Sequence, residues 1–463
     1  MSKSVNICLL AAGKGTRLKL NLSKALLPIR GKKSIDYLFD AYQEFFLKSG
    51  LKGSIGVVLS YQKEKVEDHL NANHKNSSYF TIEQKVVNGT GGAVRDYLQA
   101  PESDADYTIV TCVDTPLLDS TFLVDLMEKL DEKQDVVVTS FRTSKPNGYG
   151  RIIKEGKNHS IVEHKDASAE QLKISEVNAG VYIFKTSFLK SKIESLTNKN
   201  KSGEYYLTDL VAMSNSSKVL CYEDAQIFFG INNIEQLSKV ESIMNYKKCL
   251  ELMNDGVIIK DPKRTWIEDG VKIAAGTQIF PDVYIHGNCQ IAGNVVIESN
   301  CIIKNSKIEE SSNIFAFSYL EDSIVGKKSN IGPYARLRPG TIIEKNVKVG
   351  NFVEIKKSTL KEGVKASHLS YIGDAEVGEN TNIGCGVITV NYDGVNKHKT
   401  KIGKNCFIGS DTQLVAPVEI GEECFVACGS TITKDLKNGD LGIARSRQIN
   451  KEGMAARFLA PKK

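Results

Sequence analysis

The second half of the chain repeats a branched aliphatic residue at every sixth position. Ile267, Ile273, Ile279, Ile285, Ile291, Ile297 and Ile303 keep that register, and Val325, Ile331, Leu337, Ile343, Val349 and Ile355 resume it. Ile402, Ile408, Leu414, Ile420, Val426 and Ile432 take it up a third time. Small or turn-forming residues often follow the aliphatic, as in Ile291-Ala292-Gly293-Asn294 and Val349-Gly350-Asn351. A period of six fits neither an α-helix, at about 3.6 residues per turn, nor a heptad. It fits a β-solenoid in which each hexad makes one short strand and one corner, with the aliphatic pointing into the prism. Coils stacked about 4.8 Å apart, nine to ten of them, would make a rod of roughly 45 Å.

The register breaks at two places. After Ile355 come Lys356-Lys357 and then Ala366-Ser367-His368-Leu369-Ser370-Tyr371-Ile372-Gly373-Asp374. After Thr389 a polar segment runs from Asn391 to Thr400 before Ile402 restores the ladder. Segments that a solenoid loops out commonly lie on a binding face. A lone histidine such as His368 is more often a hydrogen-bonded structural residue. The neighbouring Tyr371, Lys356, Arg338 and Asn382 shift the balance towards function.

The chain of 463 residues has room for more than one core. We expect an α/β domain over 1–231, a linker helix over 232–255, the β-helix over 256–436 and a basic tail over 437–463. The linker reading rests on Ile234, Leu237, Val240, Ile243, Met244, Leu250 and Met253, which recur at helical spacing. A hydrophobic content of 41% with 25% charged residues is that of a globular protein. A net charge of +6 is modest for this length and suits anionic small molecules better than nucleic acid. No apolar run is long enough to span a bilayer. The ten cysteines are scattered without a Cys-x-x-Cys pair, as expected of reduced thiols in a cytoplasm. Cys424 and Cys428 read as buried ladder positions rather than metal ligands.

In the first half, Val5–Leu10 reads as a buried strand leading into Ala11-Ala12-Gly13-Lys14-Gly15-Thr16-Arg17. Two glycines there let backbone N–H groups approach an anion, and Arg17 and Lys24 stand close by in sequence. Further strands are expected at 54–60, 107–113, 135–141 and 177–184, and helices at 34–48, 92–99 and 121–130. This alternation predicts a doubly wound, mostly parallel Rossmann-like sheet. Ligands of such sheets bind beyond the strands' carboxyl ends. Asp114 closes the strand Thr108–Val113 and reads either as a cap or as a Mg²⁺ ligand. Asn88-Gly89-Thr90-Gly91-Gly92 is a second glycine-rich loop opening a helix.

Leu10–Arg17 with Lys24 is similar to the signature of sugar-1-phosphate nucleotidyltransferases. Gly150-Arg151, Val162–Asp166, Asn178 and Gly203–Asp209 narrow the likeness. With the hexapeptide solenoid behind them, the chain resembles the bifunctional N-acetylglucosamine-1-phosphate uridyltransferase/glucosamine-1-phosphate N-acetyltransferase family along nearly its whole length. The resemblance implies a left-handed parallel β-helix, assembly as a homotrimer, and a cytoplasmic enzyme without nucleic-acid or membrane partners. It also implies UTP, acetyl-CoA, glucosamine-1-phosphate and N-acetylglucosamine-1-phosphate as substrates, with Mg²⁺ as cofactor.

Residue by residue, it places Leu10, Ala11, Ala12, Gly13 and Lys24 on the nucleotide, with Arg17 aiding the triphosphate. Gln84, Gly89 and Thr90 would read uracil, and Gly150, Glu163 and Asn178 would hold the sugar. Asp114 and Asn232 would ligate Mg²⁺. In the solenoid, His368 would be the general base, a role that suits a group titrating near neutral pH. Arg338, Lys356, Tyr371, Asn382, Asn391 and Tyr392 would hold the sugar phosphate. Cys385, Ser410, Cys428 and Arg445 would line the acetyl-CoA site.

The chain departs from the family pattern at Ser23, where Pro is common, and at Gly92, where His is common. Cys112-Val113 stand where Tyr-Gly is common, and Cys385 and Cys428 where Ala is common. Two other readings remain open: a single-activity nucleotidyltransferase whose solenoid only oligomerises or binds a regulator, and a non-catalytic scaffold.

Overall fold

The computed structural model describes residues 3–156 and 158–459. Lys462 and Lys463 of the expected basic tail lie outside the described residues. The chain divides into two compact units, Met1–Met244 and Asn245–Lys463.

The first unit is built on a mixed sheet. Its main strands run, from edge to edge, Ser217–Tyr222, Val136–Arg142, Glu176–Lys185, Tyr107–Cys112, Val5–Leu10, Ile55–Leu59 and Tyr79–Glu83. Four neighbouring pairs are parallel. Glu176–Lys185 is the exception and lies antiparallel to both neighbours. It also pairs with Arg151–Glu155, one arm of the hairpin whose other arm is Asn158–Val162. The sheet buries both faces. Val5, Ile7 and Leu9 enter one apolar cluster, while Cys8 enters the other, as alternation along a strand requires.

Helix Ser34–Ser49 lays Ile35, Leu38, Phe39, Tyr42 and Phe45 against the first of these clusters. Its spacing of apolar residues at three and four gives one buried face. Helix Ser120–Glu128 is capped by Asp119, whose carboxylate accepts from the Phe122 N–H at 2.9 Å. Helix Thr90–Leu98 opens on the second glycine-rich loop.

The helix Ile234–Asn254 lies within the stretch expected as a linker, 232–255. Its buried face differs from the one that spacing alone implies. Val240 and Met244 pack with Leu18, Leu27, Ile29, Leu117 and Ile231, and Cys249 and Leu252 join the solenoid core. Leu250 and Met253, inward-facing by their spacing, are exposed.

The second unit is a left-handed parallel β-helix with three flat sheets of eleven, ten and nine short strands. The ladder aliphatics Ile279, Ile297, Ile314, Ile331, Val349, Ala366, Ile383, Ile408 and Val426 form one inward row. Residues stacked in adjacent coils stand 17 or 18 apart in sequence. The expected break after Ile355 is not an insertion. Leu360 replaces a sixth-position residue one place early, and Leu360, Ala366, Ile372 and Val377 are all buried. The coil is simply one residue shorter, as also at Ile308 and Val325. The corners at Lys357 and Asp374 turn with φ of 46° and 50°. The second interruption is real, and equivalent residues across it stand 25 apart.

Buried Ser and Thr hydroxyls lie inside the corners and bond to the next coil, as Ser312 donates to Gly326 O at 2.8 Å. Cysteines take the same role: the Cys406 thiol reaches Gly421 O at 3.0 Å and Cys424 reaches Lys437 O at 3.0 Å. These narrow corners need a small side chain that satisfies a backbone oxygen. Cys428 is different. It reads as a buried ladder position from residue type, but it is exposed at an outer corner. All ten cysteines are free thiols. Among the described residues no helix is long and apolar enough to cross a membrane.

Candidate active sites

In the first unit, residues far apart in sequence converge beyond the carboxyl ends of the central strands. The Lys24 ammonium donates to Asp114 Oδ2 at 3.0 Å and to Asn232 Oδ1 at 2.8 Å. Arg17 donates to the same Asn232 oxygen at 2.9 Å. The two carriers of those oxygens are tied by their backbones, since the Ile231 N–H donates to Asp114 O at 2.8 Å. Gln236 accepts from the Asn232 N–H at 2.7 Å and fixes that segment.

Gly15, at φ 60°, lies against the Lys24 side chain, so the first glycine loop and the lysine are packed together. Around Gly13 the space is open for 4 Å where a side chain would begin. A ligand can approach the backbone closely there.

A rim of loops continues from this centre. The Gly150 carbonyl accepts from the Asn178 N–H at 2.9 Å. A side chain at Gly150 would meet Ile161 at 2.9 Å and lie 3.6 Å from Glu163 Oε1, so Gly150, Glu163 and Asn178 face one space. Burial pushes the Glu163 carboxyl up, opposed by the hydroxyl of Thr208, which donates to it at 3.1 Å. Thr90 Oγ1 accepts from the Leu207 N–H at 3.1 Å, which docks the second glycine loop on the Gly203–Asp209 segment. The Gln84 side chain is buried and reaches Asn88 and the Gly89 carbonyl at 3.4 Å. Thus Gln84, Gly89 and Thr90 share one loop.

In the solenoid, the expected residues fall into two sets. One set is a column at a single corner. The strand carrying His368 pairs with the strand before Cys385, whose carbonyl accepts from Asp411 N–H at 2.7 Å. The Ser410 carbonyl accepts from Gly429 N–H at 2.8 Å, and the Arg445 side chain passes Gly429. His368, Cys385, Ser410 and Cys428 therefore follow one another up the prism, with Arg445 above. His368 is exposed, and among the described residues its ring has no hydrogen-bond partner. Its carbonyl is held by Ser370 Oγ at 2.8 Å.

The second set occupies the adjoining sheet. Arg338 pairs with Glu354 at 2.7 Å. Lys356 pairs with Asp374 at 3.4 Å, and the Asn391 amide donates to the same carboxylate. The Tyr371 hydroxyl lies over Gly373, where a side chain would meet it at 2.4 Å. Tyr392 stands in the polar insertion and donates to Gly394 O at 2.6 Å.

Asn382 is not brought to this set. It projects from a different sheet, in register with Lys365 and Phe407. One residue that the sequence pattern does not single out joins the set: Lys397, from the insertion, lies against Lys356. The neighbouring Lys356 pushes the Lys397 ammonium below its ordinary value. Two ammonium groups side by side form a seat for an anion. The only sequence signal for Lys397 is its place in the insertion.

Comparison with known proteins fits both halves. The MobA-like NTP transferase domain matches residues 7–197, the GMPPB C-terminal domain 264–344, and the bacterial transferase hexapeptide family 399–434. The Bifunctional protein GlmU of Pelobacter propionicus is 40% identical, covering 98% of this chain and 99% of that protein. Those of Campylobacter concisus and Staphylococcus haemolyticus are 42% and 41% identical, covering 99% and 97% of this chain and 98% of each relative. The chain belongs to the GlmU family.

This member of the GlmU family is a bifunctional transferase, with a nucleotidyltransferase half and a hexapeptide-repeat acetyltransferase half. Its departures from the family pattern have local causes. Ser23 donates its backbone N–H to Gln62 Oε1 at 3.0 Å, a bond proline cannot make. At Gly92 a side chain would stand 1.7 Å from Asn88 Oδ1, so Asn88 fills the space a larger residue would need. Val113 is buried in the core beneath the sheet end. Burial pushes the Cys112 thiol up to about 12, which leaves it protonated beside Asp114.

Proposed function

We propose that the solenoid half acetylates glucosamine-1-phosphate from acetyl-CoA. The N-terminal half then transfers UMP from UTP to N-acetylglucosamine-1-phosphate. The products are UDP-N-acetylglucosamine and pyrophosphate, for cell-envelope precursor synthesis in the cytoplasm. The observation that carries this reading is the corner column, in which an unpartnered His368 imidazole stands directly below Cys385, Ser410 and Cys428. A solenoid used only for assembly has no need of a free imidazole aligned with that column, nor of the cations Arg338, Lys356 and Lys397 gathered beside the adjoining sheet.

In the acetyl transfer, the sugar phosphate sits against Arg338, Lys356 and Lys397, and Tyr371 and Asn391 orient the ring. His368 takes the proton from the 2-amine as it attacks the thioester carbonyl, and CoA thiol leaves. In the uridylyl transfer, the sugar phosphate attacks the α-phosphorus in line. The chain's part is to bring two anions together, with Arg17 and Lys24 holding the triphosphate and Gly150, Glu163 and Asn178 the sugar.

Asp114 and Asn232 suit Mg²⁺, because their two oxygens already converge on one cation, the Lys24 ammonium, at 3.0 and 2.8 Å. When bound, that ion would neutralise phosphate charge. Homotrimer formation fits an exposed stripe on one corner, where Phe317, Tyr334 and Phe352 stack at 4.9 and 5.1 Å between centroids. A second copy would also explain Asn382, which would then serve a neighbour's site rather than its own.

The test is thiol release from acetyl-CoA with glucosamine-1-phosphate, without UTP, in wild type and His368→Ala. We expect turnover in the wild type and a loss of about 10²–10⁴ in the variant, with pyrophosphate release from UTP and N-acetylglucosamine-1-phosphate intact. Absence of thiol release from folded wild-type protein would reduce the solenoid to an assembly domain.

A further inference from the structure

Away from both sites, the described residues hold one group of side chains with the donor set of a transition metal: Asp36, His69 and His74. They come from neighbouring helices. Asp36 lies in the first turn of helix Ser34–Ser49, His69 lies near the end of helix Lys63–Asn73, and His74 caps that helix. His69 Nε2 and His74 Nε2 stand 2.7 and 2.8 Å from the same oxygen, Asp36 Oδ1. All three donor atoms lie within 4.8 Å of one another. The side chains are 13, 19 and 7% exposed in the order Asp36, His69, His74, so the cluster is shielded yet reachable. A shallow pocket lined by Gly31, Lys32, Lys33, Asp40 and Asn73 opens onto it.

We propose that Asp36, His69 and His74 bind a divalent transition cation of the zinc class, separate from the Mg²⁺ position. Two imidazole nitrogens and one carboxylate oxygen, with a fourth place open to the pocket, make a common zinc donor set. Zinc bonds of about 2.0–2.1 Å require each imidazole to part from the carboxylate oxygen by only about half an ångström.

The supports around the donors are in place. Asp36 Oδ2 accepts from the Lys33 backbone N–H at 2.8 Å, which leaves Oδ1 as the outward oxygen. His69 Nδ1 stands 3.2 Å from the Asn73 amide, and the His74 ring lies 4.7 Å from that of Phe39. Such outer contacts orient metal-binding imidazoles. Among the pocket's cations, Lys32 is paired with Asp40 at 2.8 Å.

The bound cation would clamp the start of helix Ser34–Ser49 to the helix Lys63–Asn73. Ser34 Oγ donates to Val113 O at 2.8 Å, so the clamp also braces the strand end next to Asp114.

The experiment uses the full, tag-free chain stripped with chelator. Zinc binding is measured by calorimetry, and the cobalt-substituted protein is read by visible absorption. Wild type is compared with His69→Gln, whose side chain is the most exposed of the three, and with His74→Gln and Asp36→Asn; folding is checked by circular dichroism. We expect one zinc per chain, no displacement by Mg²⁺, and affinity weakened roughly 100-fold or more in folded His69→Gln. The cobalt form should show d–d bands without sulfur-to-cobalt charge transfer. Saturating zinc should raise the melting temperature of wild type by roughly 5 °C, and not that of His69→Gln. The proposal is overturned by absent zinc binding, by binding unchanged in His69→Gln, or by a cobalt spectrum showing thiolate ligation.

Discussion

The two halves assemble their sites by opposite routes. In the N-terminal half, Lys24 meets residues 90 and 208 positions away, and each arrives at the end of a different strand or loop. In the solenoid, His368, Cys385, Ser410 and Cys428 come together because the chain returns to the same corner once per coil. Successive coils, 17 or 18 residues apart in sequence, do most of the stacking there, whereas the α/β half depends on closure over much longer separations. A substitution in the first half should therefore act on one centre. A substitution in the ladder should act on the coil and, through it, on whatever stands at the nearby corner.

The sharpest break of this comparison is Lys24→Ala. Removing the ammonium that spans Asp114 and Asn232 should lower kcat for uridylyl transfer by about 10²–10³ while leaving acetyl transfer untouched. Separate assays of pyrophosphate and thiol release on one preparation would check it. Equal loss of both activities would show that the halves do not act independently.

Ile331→Ala tests the other side. Ile331 is fully buried in the inward row, so its truncation should cost about 3 kcal/mol. Denaturant unfolding should show the loss in the solenoid transition, with uridylyl transfer retained. A matching loss in the nucleotidyltransferase transition would contradict the separation.

Lys397→Ala asks whether the insertion belongs to the sugar-phosphate seat. The expected result is a KM for glucosamine-1-phosphate raised roughly tenfold, with kcat changed less. An unchanged KM would leave Lys397 as a surface charge.

The smallest effect is expected from Glu163→Gln. Burial raises the Glu163 carboxyl, so the folded chain holds that proton more tightly than the unfolded chain. The group therefore favours folding at pH below its unfolded value, and that contribution is lost as pH rises through the folded value. The glutamine variant should escape this loss and be as stable as wild type at pH 7, or better by less than about 1 kcal/mol, while KM for the sugar phosphate rises. A clear fall in stability at pH 7 would mean that the ionised carboxylate is well paired in the fold.

Much of this architecture is legible in the order of residues. The hexad ladder announces the β-helix, and the glycine loop, Arg17 and Lys24 single out the centre where Lys24 meets Asp114 and Asn232. Other features are not legible. Spacing alone turns Leu250 and Met253 inward, while the fold exposes them and buries Cys249 and Leu252 instead. The shortened coil after Ile355 reads as a break, because a count of six cannot see that a five-residue turn closes the same corner. Cys428 reads as a core residue because cysteine is usually buried, but its corner faces outward.

Residue order alone specifies the architecture of the second half, because each hexad's strand and corner are set by a few local residues and the coil beneath. It also sets which residue types stand at the strand ends of the first half. That Lys24 bridges Asp114 and Asn232, that Lys397 lies against Lys356, and that Asp36 gathers His69 and His74 emerges only in the folded chain. Those meetings depend on the path of the backbone between distant positions, and no local pattern of polarity or spacing encodes that path.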